Sequence, residues 1–132
     1  IFFYLRDYYF IYPVKFASDW QSGYKQMVES VTKIQDKYDY ISITNNLGRP
    51  YIYFLFYNQY SPQKYWANRD ASRDKFGFWT VAGFDKYVFF PGIPEKMGRR
   101  LYVRSLTDQM TGKHLLKIIY DFAGKPVFFL YD

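Results

Sequence analysis

With 132 residues, 49% of them hydrophobic, the chain is long enough to close one core, so a single domain is expected. It has no cysteine, which excludes disulfides, thiolate metal centres and thiol nucleophiles. The net charge of +6 admits phosphate, anionic lipid or nucleic acid as partners. The cations are spread, however, and are densest at Arg99 and Arg100 with Lys96 and Arg104 nearby, which reads first as a solvated surface.

Aromatic residues make up 25% of the chain, and 16 of them are tyrosine. So many rings with a hydroxyl suit half-buried surfaces, sheet faces and membrane borders. The first segment, IFFYLRDYYFIYP, shows this at once. It carries no basic leader and no small-residue cleavage site, so it does not read as a signal peptide. A bilayer span needs about 20 apolar residues; twelve residues before Pro13, with Arg6 and Asp7 among them, cannot cross alone. They read either as the outer end of a span, where Tyr and Phe crowd the lipid–water border, or as an amphipathic packing segment.

Ser18-Asp19-Trp20-Gln21 has the form of a capping box. Behind it Trp20, Tyr24, Met27, Val28, Val31 and Ile34 recur at helical spacing, which predicts an amphipathic helix over 19–37. The β-branched run at 40–44 reads as a buried strand, and TNNLGRPY as the loop after it. PYIYFLFYNQY is apolar almost all round and reads as a buried helix or a strand; Pro50, suited to a first helical turn, and the alternation of helix and strand favour the helix. Ser61-Pro62 starts another helix, ending near Asn68. The polar stretch 69–75 reads as a mobile loop. After it come five β-rich runs, FGFWTVAGF, KYVFF, RLYVRS, LLKIIYDF and PVFFLYD, the last two joined as a hairpin through residues 122–125. The expected fold is α/β: a central mixed sheet of five to six strands, with the first helix and one or two others packed on it.

Chemistry-bearing residues are few. Asp36, Asp39, Asp70 and Asp74 lie where aspartates cap and turn, and nothing sets two of them across a sugar bond. His114 is the only histidine and has no neighbouring nucleophile. No catalytic residue, metal ligand or cofactor is therefore expected. The best local site is the loop Asn45, Asn46, Gly48 and Arg49, which runs from the carboxyl end of a strand into a helix start. Such a place favours an anion, although Asn-Asn-x-Gly also makes a plain turn. It lacks the Walker and dinucleotide glycine patterns. Trp66 or Trp79 could offer a stacking face for a sugar or a base. KFGFWTV loosely echoes an RNA-recognition motif, but the order of elements does not fit that fold, so nucleic acid is disfavoured.

YPVKFASDWQSGYKQMVESV and DKYDYISITNNLGRPYIYFLFYNQYSPQKY, with the later GFDKYVFF and LKIIYDFAGKPVFFLYD, resemble the region after the last membrane span of bacterial membrane glycosyltransferases. These are the polyprenyl-phosphate-sugar-dependent enzymes similar to protein mannosyltransferases. The resemblance implies a tail domain on the outer face of a membrane, partnered by the membrane-embedded part of the same polypeptide. It also implies that the acidic catalytic residue belongs to an early outer loop of that part, so no catalytic position is carried over to this chain. Residues 1–17 would then be a juxtamembrane stub with a hinge at 13–17, and 18–132 the soluble domain. Its job would be acceptor or glycan binding, docking, or structural support of the membrane part, with a glycan or a polyprenyl-phosphate head group as the ligand in the first case. From the residues alone, the competing class is a free-standing module that binds nucleic acid or protein.

Overall fold

The computed structural model describes residues 1–89 and 98–132. Phe90, with which the KYVFF run ends, and Lys96 of the basic group lie outside the described residues. The chain is α/β, built on one mixed sheet with strand order β2-β3-β4-β1-β5-β7-β6 among the described residues. Its centre is parallel: β1 (Tyr40–Ile43) lies between β4 (Tyr87–Phe89) and β5 (Arg100–Arg104), running the same way as both. Antiparallel hairpins flank this trio. On one side β2 (Arg69–Arg73) and β3 (Trp79–Phe84) extend it through β4; on the other, β6 (Leu115–Tyr120) and β7 (Pro126–Tyr131) extend it through β5.

Among the described residues the sheet has seven strands rather than five or six, because 69–75 is not a loop: β2 pairs with β3. Its sequence, Arg-Asp-Ala-Ser-Arg, hides a strand because an edge strand can pair through its backbone with only Ala71 as an apolar contact to the core. Periodicity cannot register that.

The predicted helix over 19–37 is shorter than expected. It is regular as α3 (Tyr24–Ile34) and ends in a 3-10 turn at Gln35–Lys37. Residues 18–23 are turns, and the Ser18 capping box does not form. Gln21 instead sits at a φ of 53° and accepts a hydrogen bond from the Tyr53 hydroxyl, while Gly23 caps the helix at a φ of 100°. Trp20 is thereby taken off the buried face. The rest of that face holds: Tyr24, Met27, Val28 and Val31 are buried against Ile41, Ile43, Leu101, Val103, Phe128 and Leu130 of the sheet.

α4 (Pro50–Tyr57) begins at Pro50 as expected but is only half covered. Pro50 and Phe54 are buried; Ile52, Phe56 and Tyr57 face out. α4 lies beside α3 on the same side of the sheet, so a single stripe of it meets the core. α5 (Pro62–Asn68) starts as the sequence predicts, with Ser61 Oγ accepting from the Lys64 N–H at 3.4 Å.

The aromatic first segment is helical from α1 (Phe2–Arg6) through a π-helical turn (Asp7–Ile11) to α2 (Tyr12–Lys15). Of the residues 13–17 expected as a hinge, 13–15 are helical, because the helix passes through Pro13, and turns begin at Phe16. Proline has no N–H to give, and the turn before it widens: the Tyr12 N–H reaches back to Asp7 O. Most rings on this helix are exposed, and no helix of the described residues is long and apolar enough to cross a membrane.

Two phenols are locked in the core. Burial, reinforced by Tyr53, raises the Tyr24 pKa well above the ordinary tyrosine range. Burial and, secondarily, Asp85 push Tyr87 up to about 12. An unfolded tyrosine ionises near 10.0, while the folded one holds its proton to about 12. The stability these phenols give is therefore complete below the lower value and falls as pH rises through the upper one. Unfolding monitored by circular dichroism should show a steep alkaline edge in that window. Tyr87→Phe should make the edge shallower, since one fewer proton is released on unfolding.

Candidate functional site

The register fixes where the loops lie. β1, β4 and β5 are parallel and their partners antiparallel, so five segments gather at the carboxyl end of the parallel strands. They are the β1–α4 loop, the β2–β3 turn, the β6–β7 turn, the residues after β5 and the segment before α3. Open α/β sheets bind ligands at this end.

The β1–α4 loop is held from several sides. Thr44 Oγ1 accepts from the Asn46 N–H at 3.3 Å, and Gly48 N–H bonds Asn45 O at 3.1 Å. The buried Tyr24 hydroxyl donates to Leu47 O at 3.0 Å. Asn45, Gly48 and Arg49 line a cleft of about 60 Å³ whose far wall is Trp79, Thr80 and Phe89. That volume holds a water molecule or two, so a sugar would lie over the cleft rather than in it. Asn46 turns away and donates to Thr107 Oγ1 at 3.2 Å.

Trp66 and Trp79 are brought together by a residue that the sequence reading passed over. The Arg69 guanidinium lies 3.6 Å from the Trp66 ring centre and 4.8 Å from that of Trp79. The Arg73 guanidinium lies 5.0 Å from the Trp79 ring centre, and the two residues pair across the sheet. Arg49 lies 5.7 Å from the Phe78 ring. Tryptophan is the best aromatic partner for a guanidinium, and both indoles keep exposed surface. None of the three arginines makes an ion pair among the described residues. The signal in the sequence was the Trp66/Arg69 spacing of three on a helix end and the Arg73/Trp79 pairing across a tight turn. Both were missed because 69–75 reads as a loop.

Of the six expected site residues, Asn45, Gly48, Arg49 and Trp79 share one cleft, Trp66 joins them through Arg69, and Asn46 does not. The aspartates have local duties: Asp39 Oδ2 accepts from the Arg99 N–H at 2.8 Å, and Asp74 Oδ1 accepts from two turn amides. His114 is exposed, with Nδ1 3.2 Å from Asp132 Oδ1 at the opposite end of the sheet. A separate open groove of about 770 Å³ runs between the first helix and the body, lined by Tyr8, Tyr12, Phe16, Trp20 and Phe122. No family model, curated protein or solved structure matches the chain.

Proposed function

We propose that this chain is a non-catalytic, extracytoplasmic C-terminal domain of a membrane glycosyltransferase, and that it binds the glycan or polyprenyl-phosphate head group of that reaction. The observation that carries the reading is the cluster in which Arg69 lies over Trp66 and Trp79, and Arg73 over Trp79, beside the Arg49 loop. The Trp66 indole, exposed beyond its contact with Arg69, offers ring surface for a sugar, and arginines with no ion pair among the described residues suit a phosphate. Indoles and guanidiniums bind; they do not exchange protons at neutral pH, so the stack is a holding surface. The resemblance of the chain to the outer tail of polyprenyl-phosphate-sugar enzymes supplies the substrate class and the membrane-attached, outer-face placement.

Intrinsic tryptophan fluorescence tests this, with farnesyl phosphate and mannose 1-phosphate as probes. Either probe is expected to quench the wild-type signal saturably. Arg69→Ala, which removes the group between the two indoles, should weaken binding roughly tenfold, as expected for the joint loss of a cation–π and a phosphate contact. Turnover of a polyprenyl-phosphate sugar by this chain alone overturns the non-catalytic part of the reading. The same stack would also accept unpaired bases; salt-dependent binding of single-stranded RNA, with neither sugar nor phosphate probe bound, favours the competing nucleic-acid module.

A further inference from the structure

Two turns at the carboxyl end of the sheet are built alike. The β2–β3 turn is Asp74-Lys75-Phe76-Gly77-Phe78, and the β6–β7 turn is Asp121-Phe122-Ala123-Gly124-Lys125. In the first, Asp74 N–H bonds Phe78 O at 2.9 Å and Gly77 N–H bonds Asp74 O at 3.0 Å. In the second, the matching bonds join Asp121 N–H to Lys125 O at 2.9 Å and Gly124 N–H to Asp121 O at 3.0 Å. Gly77 and Gly124 take φ of 83° and 76°, the left-handed position such a turn demands.

In both, the aspartate carboxylate is spent inward. Asp74 Oδ1 accepts from the Phe76 and Phe78 N–H groups, and Asp121 Oδ1 from those of Ala123 and Lys125. The first turn shows Phe76, Phe78 and Lys75 to solvent, and the second shows Phe122 and Lys125. Phe76 is 73% exposed and Phe122 71%. Nothing about hairpin closure requires either ring, since the glycine and the aspartate close the turn.

The same end carries the exposed Trp20, and Phe16 with Lys15 Nζ 5.5 Å from its ring. The segment before α3 is tied to the second turn, because the Phe122 N–H donates to Ser22 Oγ at 3.1 Å. The aromatic helix of residues 2–15 leaves the body from here. The opposite end is different in kind: its hairpin tip is Asp85-Lys86, and Asp36, Lys37, Asp39, Arg99 and Lys113 surround it. The molecule thus has an aromatic pole with lysines beside the rings, and a charged pole.

We infer that the aromatic pole docks on the surface of an anionic lipid bilayer, with the tips Phe76 and Phe122 and the Trp20 ring at headgroup level. Rings of this type settle at the lipid–water border, and cations next to them meet anionic headgroups. The inference rests on the membrane attachment proposed above and adds the orientation: the parallel strands point at the bilayer, so the Arg49–Trp79 cleft opens beside it.

The chain has no native cysteine, so single labels are unambiguous. Nitroxides on Lys75→Cys, Ala123→Cys and Lys37→Cys are compared on vesicles of phosphatidylglycerol and phosphatidylethanolamine. The labels at 75 and 123 should become accessible to oxygen and shielded from an aqueous relaxant, while that at 37 stays aqueous. Phe76→Ser combined with Phe122→Ser should weaken vesicle partitioning roughly tenfold or more. If the chain binds vesicles but the tip labels stay aqueous, or the double variant partitions like wild type, the orientation is overturned and membrane attachment survives. If the chain does not bind vesicles, docking is overturned, and the fluorescence titration still judges the ligand site by itself.

Discussion

Phe54→Ala is expected to cost about 3–5 kcal/mol of stability, while Phe56→Ala, two residues on in the same helix, changes it by about 0.5 kcal/mol or less. By sequence the two phenylalanines are equivalent members of an apolar run. In the structure Phe54 is fully buried, its ring 4.7 Å from that of Tyr87 and 6.5 Å from that of Phe89. Phe56 is 72% exposed. Truncating Phe54 removes the transfer free energy of the ring and leaves a cavity, since Tyr87 is held by its hydrogen bonds with Gln35 and Asn58 and cannot follow inward. Urea unfolding measures both. Equal losses for the two variants would mean that α4 does not rest on the sheet through this stripe.

Arg104→Ala is the second large effect, about 3–5 kcal/mol, in the range found when one partner of a buried charge pair is removed. Arg104 is 7% exposed at the end of β5, on the sheet face away from α3. Its guanidinium donates to Ser42 O at 3.1 Å, Val103 O at 3.0 Å and Ser42 Oγ at 3.0 Å, which ties β5 to β1 beyond the ladder itself. Burial lowers its pKa, and the neighbouring Asp108 opposes that shift. Asp108 Oδ2 has no hydrogen bond among the described residues and stands 4.0 Å from Arg104 Nε. Without the guanidinium this half-buried carboxylate, whose Oδ2 is shielded from solvent, has no counterion from Arg104. Its other oxygen accepts from Ser105 N–H at 2.6 Å and from the Ser105 hydroxyl, so it cannot swing out without uncapping the short 3-10 turn Leu106–Asp108. Arg104→Lys should recover only part of the loss, because an ammonium cannot make the same planar set of donations. The loss should also shrink by about 1 kcal/mol or more in an Asp108→Asn background, where the stranded charge is gone. A cost below about 1 kcal/mol for Arg104→Ala in urea unfolding would falsify the pairing as a structural tie.

Much of the fold was legible because it is encoded within a few residues. The start of α5 follows from Ser61 and Pro62, whose cap and fixed φ act within one turn of helix. The last hairpin follows from Asp121 and Gly124, which close it locally. The buried face of α3 follows from the spacing of Tyr24, Met27, Val28 and Val31, since period 3.6 admits one dry stripe. That 40–44 is a buried strand followed from its β-branched run.

The rest depended on partners distant in sequence. Gln21 leaves the capping box because Tyr53, 32 residues away, binds its side chain. β2 is a strand because β3 supplies its ladder, though its own residues are polar. Which side of α4 is dry was decided by where α3 and β4 lie, as an all-apolar run has no stripe to read. Arg69 becomes a site residue only when α5 and β3 set an indole on either side of it. Phe76 and Phe122, 46 positions apart in the numbering, share a pole only because the sheet register turns both hairpins the same way. Caps, turns and periodicity act over about one helical turn or one hairpin and so are written in short stretches. Strand order, register and shared faces are set by long-range pairing, whose closure no short stretch contains.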